Sequence, residues 1–226
     1  MEERQQRLAR QLKLSYATRP PAAQREPLIF KRLFKHADAT GDHELMAAFL
    51  VATDRLIRRK RRKRVRWAQG TLETSEVLRV ASNYNGLFRS NATNHYVRRR
   101  AWRHFRRLGF RDPATYRTHV AAALARYDDA DVRAGENLLD CWGLMHACFG
   151  KSKEIAFDAR HTNIAPSGVF ANLSAAPMFE RHWADAAGLP VLLDLLLAAR
   201  CRPVRVWAIQ LLKRLHKPAL CASMRP

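Results

Sequence analysis

Apolar side chains recur at helical spacing over most of this chain, and the stretches where that spacing fails divide it into segments. Leu28, Ile29, Phe30, Leu33 and Phe34 predict a helix over residues 28–36. Asp42 stands where an N-cap would, ahead of a stripe of Leu45, Phe49, Ala52 and Leu56 that predicts a second helix over 43–57. From His95 to Leu108 the period sharpens. At about 100° per residue, Val97, Ala101, Phe105 and Leu108 share one sector while Arg99, Arg100, Arg103, Arg106 and Arg107 cluster opposite. Trp102 falls at the border between the two faces, and Gly109 reads as the C-terminal stop. Pro113 with Tyr116, Val120 and Leu124 predicts a helix over 113–126. Leu138, Leu139, Trp142, Met145 and Phe149 predict another over 131–149. Two stretches carry no clear helical period. Residues 67–94, rich in turn formers such as Gly70, Asn83, Asn85 and Gly86, read as a long, partly extended excursion, and 151–176, with Pro166 and Gly168, reads as a second irregular insert. Residues 2–14 predict a short basic helix or arm, followed over 15–27 by a connector with three prolines.

The C-terminal fifty residues have the clearest pattern. Leu189, Leu192, Leu193, Leu196 and Leu197 form one compact helix, and a short turn leads to a second that opens at Pro203-Val204-Arg205 and continues through Trp207-Ala208, Leu211-Leu212 and Leu215. Two short antiparallel helices of this kind resemble a HEAT or armadillo-type repeat unit, clearest over residues 189–216. The pairs 28–36 with 43–57 and 113–126 with 131–149 fit the same grammar loosely. The resemblance implies an all-α solenoid, a stack of helix pairs interrupted by two irregular inserts. The expected organisation is a basic arm and connector over 1–27, a basic helical region over 28–111 and a repeat region over 112–226. Residues 217–226, KPALCASMRP, provide no polar terminal helix to cap an apolar stack, so either the last helix is the cap or the chain is a piece of a longer repeat protein or assembly.

Composition and charge then separate architecture from function. A hydrophobic fraction of 47% excludes a disordered chain. The longest apolar candidate, Ala186 to Ala199, is broken by Pro190 and Asp194, and no secretory signal opens the chain, which points to a cytoplasmic protein, or a nuclear one in a eukaryote. Four cysteines, Cys141, Cys148, Cys201 and Cys221, are too sparse for a disulfide framework and read as reduced thiols in or beside helices. The net charge of +21 is uneven: residues 1–111 carry 27 Lys and Arg against 9 Asp and Glu, and the remainder carries only 14 against 11. Residues 58–66 are the densest part, with eight of nine positions basic: Arg58, Arg59, Lys60, Arg61, Arg62, Lys63, Arg64 and Arg66. Such a run repels itself and is not expected to pack unless a polyanion neutralises it.

The chemistry follows from these two basic segments. Candidate nucleic-acid contacts are the run from Arg58 to Arg66, together with Arg99, Arg100, Trp102, Arg103, Arg106 and Arg107 on the amphipathic helix. No residue set identifies a base reader, so binding is expected through backbone phosphates with little sequence specificity, to DNA or RNA. The alternative partner is an acidic protein. An anionic membrane surface fits less well because the apolar stripe opposite the arginines is short. No phosphate-binding loop, dinucleotide fingerprint, zinc-protease motif or nucleophile elbow is present, so no enzyme, cofactor or metal is expected. Cys141-x4-His146-x-Cys148 lacks the second ligand pair of a zinc site. One enzymatic reading rests on resemblance alone: HEAT-like glycosylases acting on alkylated bases, for which Asp140, Trp142 and Trp207 would be the only pocket candidates. The reading that covers most of the chain is a helical-repeat scaffold with a nucleic-acid-binding basic half.

Overall fold

The computed structural model describes residues 27–68, 71–80, 91–133 and 135–223. The expected arm at 2–14 and the connector up to residue 26 lie outside these. Helix α1 (Pro27–Thr40) and helix α2 (His43–Leu56) meet at Gly41, whose φ of +67° makes the turn. Asp42 follows as the expected N-cap, its side chain accepting the Leu45 amide at 3.0 Å. Every residue of α2 from Leu45 to Asp54 is buried, because four helices pack around it. Three of these are α1, α3 (Asn91–Arg111) and α4 (Pro113–Ala125). Asp112 joins α3 to α4 and caps the latter, with Pro113 in the first turn.

Gly109 does not end α3. The helix runs through it to Arg111, and the glycine instead admits a neighbour: a Cβ there would lie 2.5 Å from the Phe179 ring. The single helix expected over 131–149 is also corrected. Asp129–Val132 forms a 3-10 turn, α5 covers Gly135–Asp140 and α6 covers Trp142–Phe149, with the break at Cys141. The fourth neighbour of α2 is α6, and the break has a physical cause. The Asp54 carboxylate, presented by α2, accepts the Gly143 and Leu144 amides at 2.9 and 3.3 Å and satisfies the new helix start. Gly143 permits this approach, since a Cβ would stand 2.6 Å from the Leu50 side chain.

The basic run and the first half of the irregular excursion form a hairpin, β1 (Arg59–Ala68) paired antiparallel with β2 (Thr71–Val80). The second insert contains a smaller hairpin, β3 (Ile155–Phe157) with β4 (Thr162–Ile164), then a 3-10 turn at Phe170–Asn172. Helix α7 (Arg181–Ala184) leads to α8 (Gly188–Ala198) and α9 (Arg202–Leu215), the antiparallel pair that the C-terminal pattern predicts. Leu192 and Leu195 of α8 and Val204, Trp207, Ala208, Leu211 and Leu212 of α9 are buried, and Trp183 meets Trp207 edge to face at 5.1 Å. The segment after His216, expected to provide no polar terminal helix, forms a short helix, α10 (Lys217–Ser223). Cys141, Cys148 and Cys201 are buried, whereas Cys221 is exposed. Among the described residues the chain is mostly helical, with ten helices and two two-stranded hairpins, and no helix is long and apolar enough to cross a membrane.

Candidate nucleic-acid interface

Helix α3 sorts its side chains as an amphipathic helix must. Val97, Ala101 and Phe105 face the core. Arg100, Arg103, Arg106, Arg107 and Phe110 line an open groove of about 450 Å³ on the other side. Asp38 of α1 sets two of these arginines. The Arg100 Nε donates to Asp38 Oδ2 at 2.8 Å, and Arg107 Nη2 lies 3.5 Å from Oδ1. Arg103 and Arg106 have no ion-pair partner among the described residues, and both are exposed. Arg99, at the margin, is half-buried. Two aromatic rings flank this surface, Phe110 within the groove lining and Tyr96 one turn of α3 before Arg100. Tyr96 is 50% exposed, its hydroxyl accepting from Arg100 Nη1 at 3.4 Å, and Phe110 is 73% exposed while touching Phe179 edge to face at 5.0 Å.

Trp102 does not belong to this surface. It is 3% exposed and stacks on His146 at 5.3 Å, so the border position read from the helical wheel turns inward. The basic residue next to the stripe, Arg98, is buried as well. Its guanidinium lies 3.5 Å from Asp54 Oδ1, donates to the Asp140 and Arg160 carbonyls, and sits 5.5 Å from the Trp142 ring centroid. Tyr127 donates its hydroxyl to Asp54 Oδ2 at 2.7 Å, completing a buried cluster in which one carboxylate serves a cation, a phenol and a helix start. Burial raises the Asp54 pKa, against the opposing pull of Arg98.

The hairpin begins in the same interior. Arg58 reaches the Asn137 carbonyl at 3.1 Å and lies 3.6 Å from Asp131, which also receives the Arg55 guanidinium. Arg59 is 7% exposed, its backbone amide donating to Asp140 Oδ2 at 2.7 Å and its side chain to Asp140, Asn163 and the Thr162 carbonyl. These two residues, expected as ligand contacts in a run that could not pack, anchor the hairpin instead. Acidic partners from α5 and the turn before it supply the neutralisation. The side chains of Lys60, Arg61, Arg62, Lys63, Arg64 and Arg66 lie outside the described residues. The strand register sets Lys63 opposite Glu76 and Arg66 opposite Glu73.

Asp140, Trp142 and Trp207 are all buried. Asp140 is tied to Arg59, Trp142 packs on His146 at 4.1 Å, and the Trp207 Nε1–H donates to the Cys148 carbonyl at 3.0 Å. His146 lies between Trp102 and Phe157, and desolvation there lowers its pKa to about 3. His43 Nδ1 hydrogen-bonds His104 Nε2 at 2.8 Å, with the His119 ring 4.9 Å from His43. Burial, then His43, lowers His104 to about 4. Among the described residues no group of three His, Cys, Asp or Glu is placed to hold a metal ion.

Tyr96, Phe110 and Asp38 escape the sequence reading. A signal existed for the two aromatics: positions 96, 100, 103, 107 and 110 step by four and three residues along one helical stripe. Treating Gly109 as the helix end hid the last of them. No family model, curated protein or solved structure matches this chain.

Proposed function

We propose that the protein is a helical scaffold that binds nucleic acid through phosphate contacts along the outer face of α3. The observation that carries this reading is the groove in which Arg100, Arg103, Arg106 and Arg107 converge on one open concavity. Four guanidinium groups on one helix side repel one another unless an anion neutralises them, and Asp38 offsets only part of that charge. Arginine suits a phosphate ligand because its planar fork matches phosphate oxygens in a bidentate contact. The scaffold part of the proposal draws on the order of helix contacts: α2 packs on α1 and α3, α4 on α8, and α8 on α9, a succession compatible with stacked helix pairs.

The site has moved relative to the sequence expectation. Arg58 and Arg59 are occupied by Asp131 and Asp140, and Trp102 is in the core, so the contact surface centres on α3. Fluorescence anisotropy with labelled polynucleotides across a salt series tests this. Four phosphate contacts give a log–log salt slope of about −3.6 on duplex DNA, at about −0.9 per contact. Reversing Arg103 and Arg106 to glutamate is expected to flatten that slope by about 2 with helicity unchanged, since neither side chain packs in the core. An unchanged slope places the contact elsewhere. Salt-sensitive binding of an acidic peptide, with polynucleotide affinity weaker than about 10⁻⁴ M at physiological salt, would assign the groove to a protein partner instead.

A further inference from the structure

Phe110 completes the groove at one end, and Tyr96 stands one turn of α3 before Arg100 at the other. Tyr96 and Phe110 lie fourteen residues apart on the same stripe of α3 as Arg100, Arg103 and Arg107, which spaces them by about 21 Å at 1.5 Å per residue. Both rings are exposed where an amphipathic helix ordinarily places polar side chains. Phe110 is the more unusual of the two. It follows a glycine that brings α3 against Phe179, and the edge-to-face contact with Phe179 holds its ring while leaving most of it in solvent. Tyr96 is oriented by Arg100, which donates to its hydroxyl.

Duplex phosphates give no use to such rings, because paired bases keep their faces inside the stack. A single strand presents those faces. Aromatic platforms beside a basic track are the physical means by which single strands are held without sequence readout, the phosphates meeting cations and the bases stacking on rings. We infer that the α3 groove binds a single-stranded polynucleotide, with Arg100, Arg103 and Arg107 on successive phosphates and bases stacked on Tyr96 and Phe110. The distance between the rings matches about six nucleotides at the 3.4 Å spacing of a stacked strand. The inference rests on the backbone-binding reading above and adds the class of strand and the two residues that select it. Its recognition elements are bases and phosphates, so deoxyribose and ribose strands are both substrates.

The experiment uses the full chain and four labelled probes of about 12 nucleotides, within the range of single-strand site sizes: oligo-dT, oligo-U, a wholly abasic strand of the same charge, and a duplex. The variants are Phe110→Leu and Tyr96→Leu, which keep apolar bulk and remove the aromatic face. Each is expected to lower affinity for the base-bearing single strands about fivefold or more, the low end for losing one stacked base. The salt slope, near −2.1 for three contacts on a single strand at about −0.7 each, should not change, because stacking releases no counterions. Binding of the abasic strand and the duplex should stay as in the wild type, and that also shows the variant is folded. Equal loss on the abasic strand, no loss on any strand, or wild-type preference for the duplex would each overturn the stacking assignment while leaving backbone binding in place. Failure of the wild type to bind any of the four removes the reading on which it rests.

Discussion

Asp54 meets four separate groups. It is fully buried, and its two oxygens meet Arg98, the Tyr127 hydroxyl and two helix-starting amides. Such a carboxylate contributes through what its loss would strand: an arginine 1% exposed whose ion pair among the described residues is with Asp54. Asp54→Ala is therefore expected to cost about 3–5 kcal/mol, the usual penalty for removing one partner of a buried pair. Urea unfolding monitored by circular dichroism measures it, and a loss under about 1 kcal/mol would mean that Arg98 finds water or another anion. The sequence gives little warning of this residue. Asp54 looks like one polar interruption beside an apolar stripe, and its partners lie tens of residues away. The exposed arginines were legible because they alternate with core residues at a fixed period. Arg58 and Arg59 stand apart from the rest of the run because each has a buried acid in reach, which a charge run does not show.

Among elements, α3 was the most readable. Its two faces follow from periodicity alone, and Asp42 and Pro113 mark the starts of α2 and α4 where cap chemistry places them. The end of α3 was not readable, since a glycine that stops a helix and one that admits a neighbouring ring look identical in sequence. The structure separates these cases quantitatively. Alanine at position 109 would favour an isolated helix by up to about 1 kcal/mol. Here its Cβ would stand 2.5 Å from Phe179, a ring already packed on Tyr116 and His182. Overpacking should win, so Gly109→Ala is expected to destabilise the fold by about 1–3 kcal/mol, read as a lower Tm. A rise in Tm would show that Phe179 moves aside freely. The β1–β2 hairpin was half visible. The excursion was expected to be partly extended, but the eight basic residues masked the strand that precedes it.

At the scale of the whole molecule, the interior holds neutral imidazoles inside a strongly cationic protein. Desolvation, reinforced by Arg98 for His95 and by His43 for His104, lowers both histidines to about 4, and His146 falls to about 3. Unfolding returns each to its usual range near 6.5, so the unfolded chain binds more protons at mildly acidic pH. Stability from these groups is therefore complete above about pH 6.5 and is lost as pH falls toward 4. Each histidine contributes a slope of up to about 1.4 kcal/mol per pH unit inside that window. A Tm series from pH 7.5 to about 4.5 should fall monotonically, and His104→Gln should flatten it. A Tm that holds constant through this range would place those rings in contact with water. Fold class was legible at this scale because helical periods dominate the chain. The placement of charge was not, because sequence counts arginines without distinguishing those that line a groove from those that hold a core together.

The capping of α6 by Asp54 also bears on the order in which the molecule assembles. The residue that satisfies the start of α6 lies 89 positions before it, on a helix that is synthesised first. Helix α6 is only eight residues long, too short to persist in water without help. It acquires its first hydrogen-bond acceptor when α2 docks, so its formation is a long-range event. Helix α6 therefore depends on a contact of long sequence separation, and closing it ties the C-terminal half of the chain to α2.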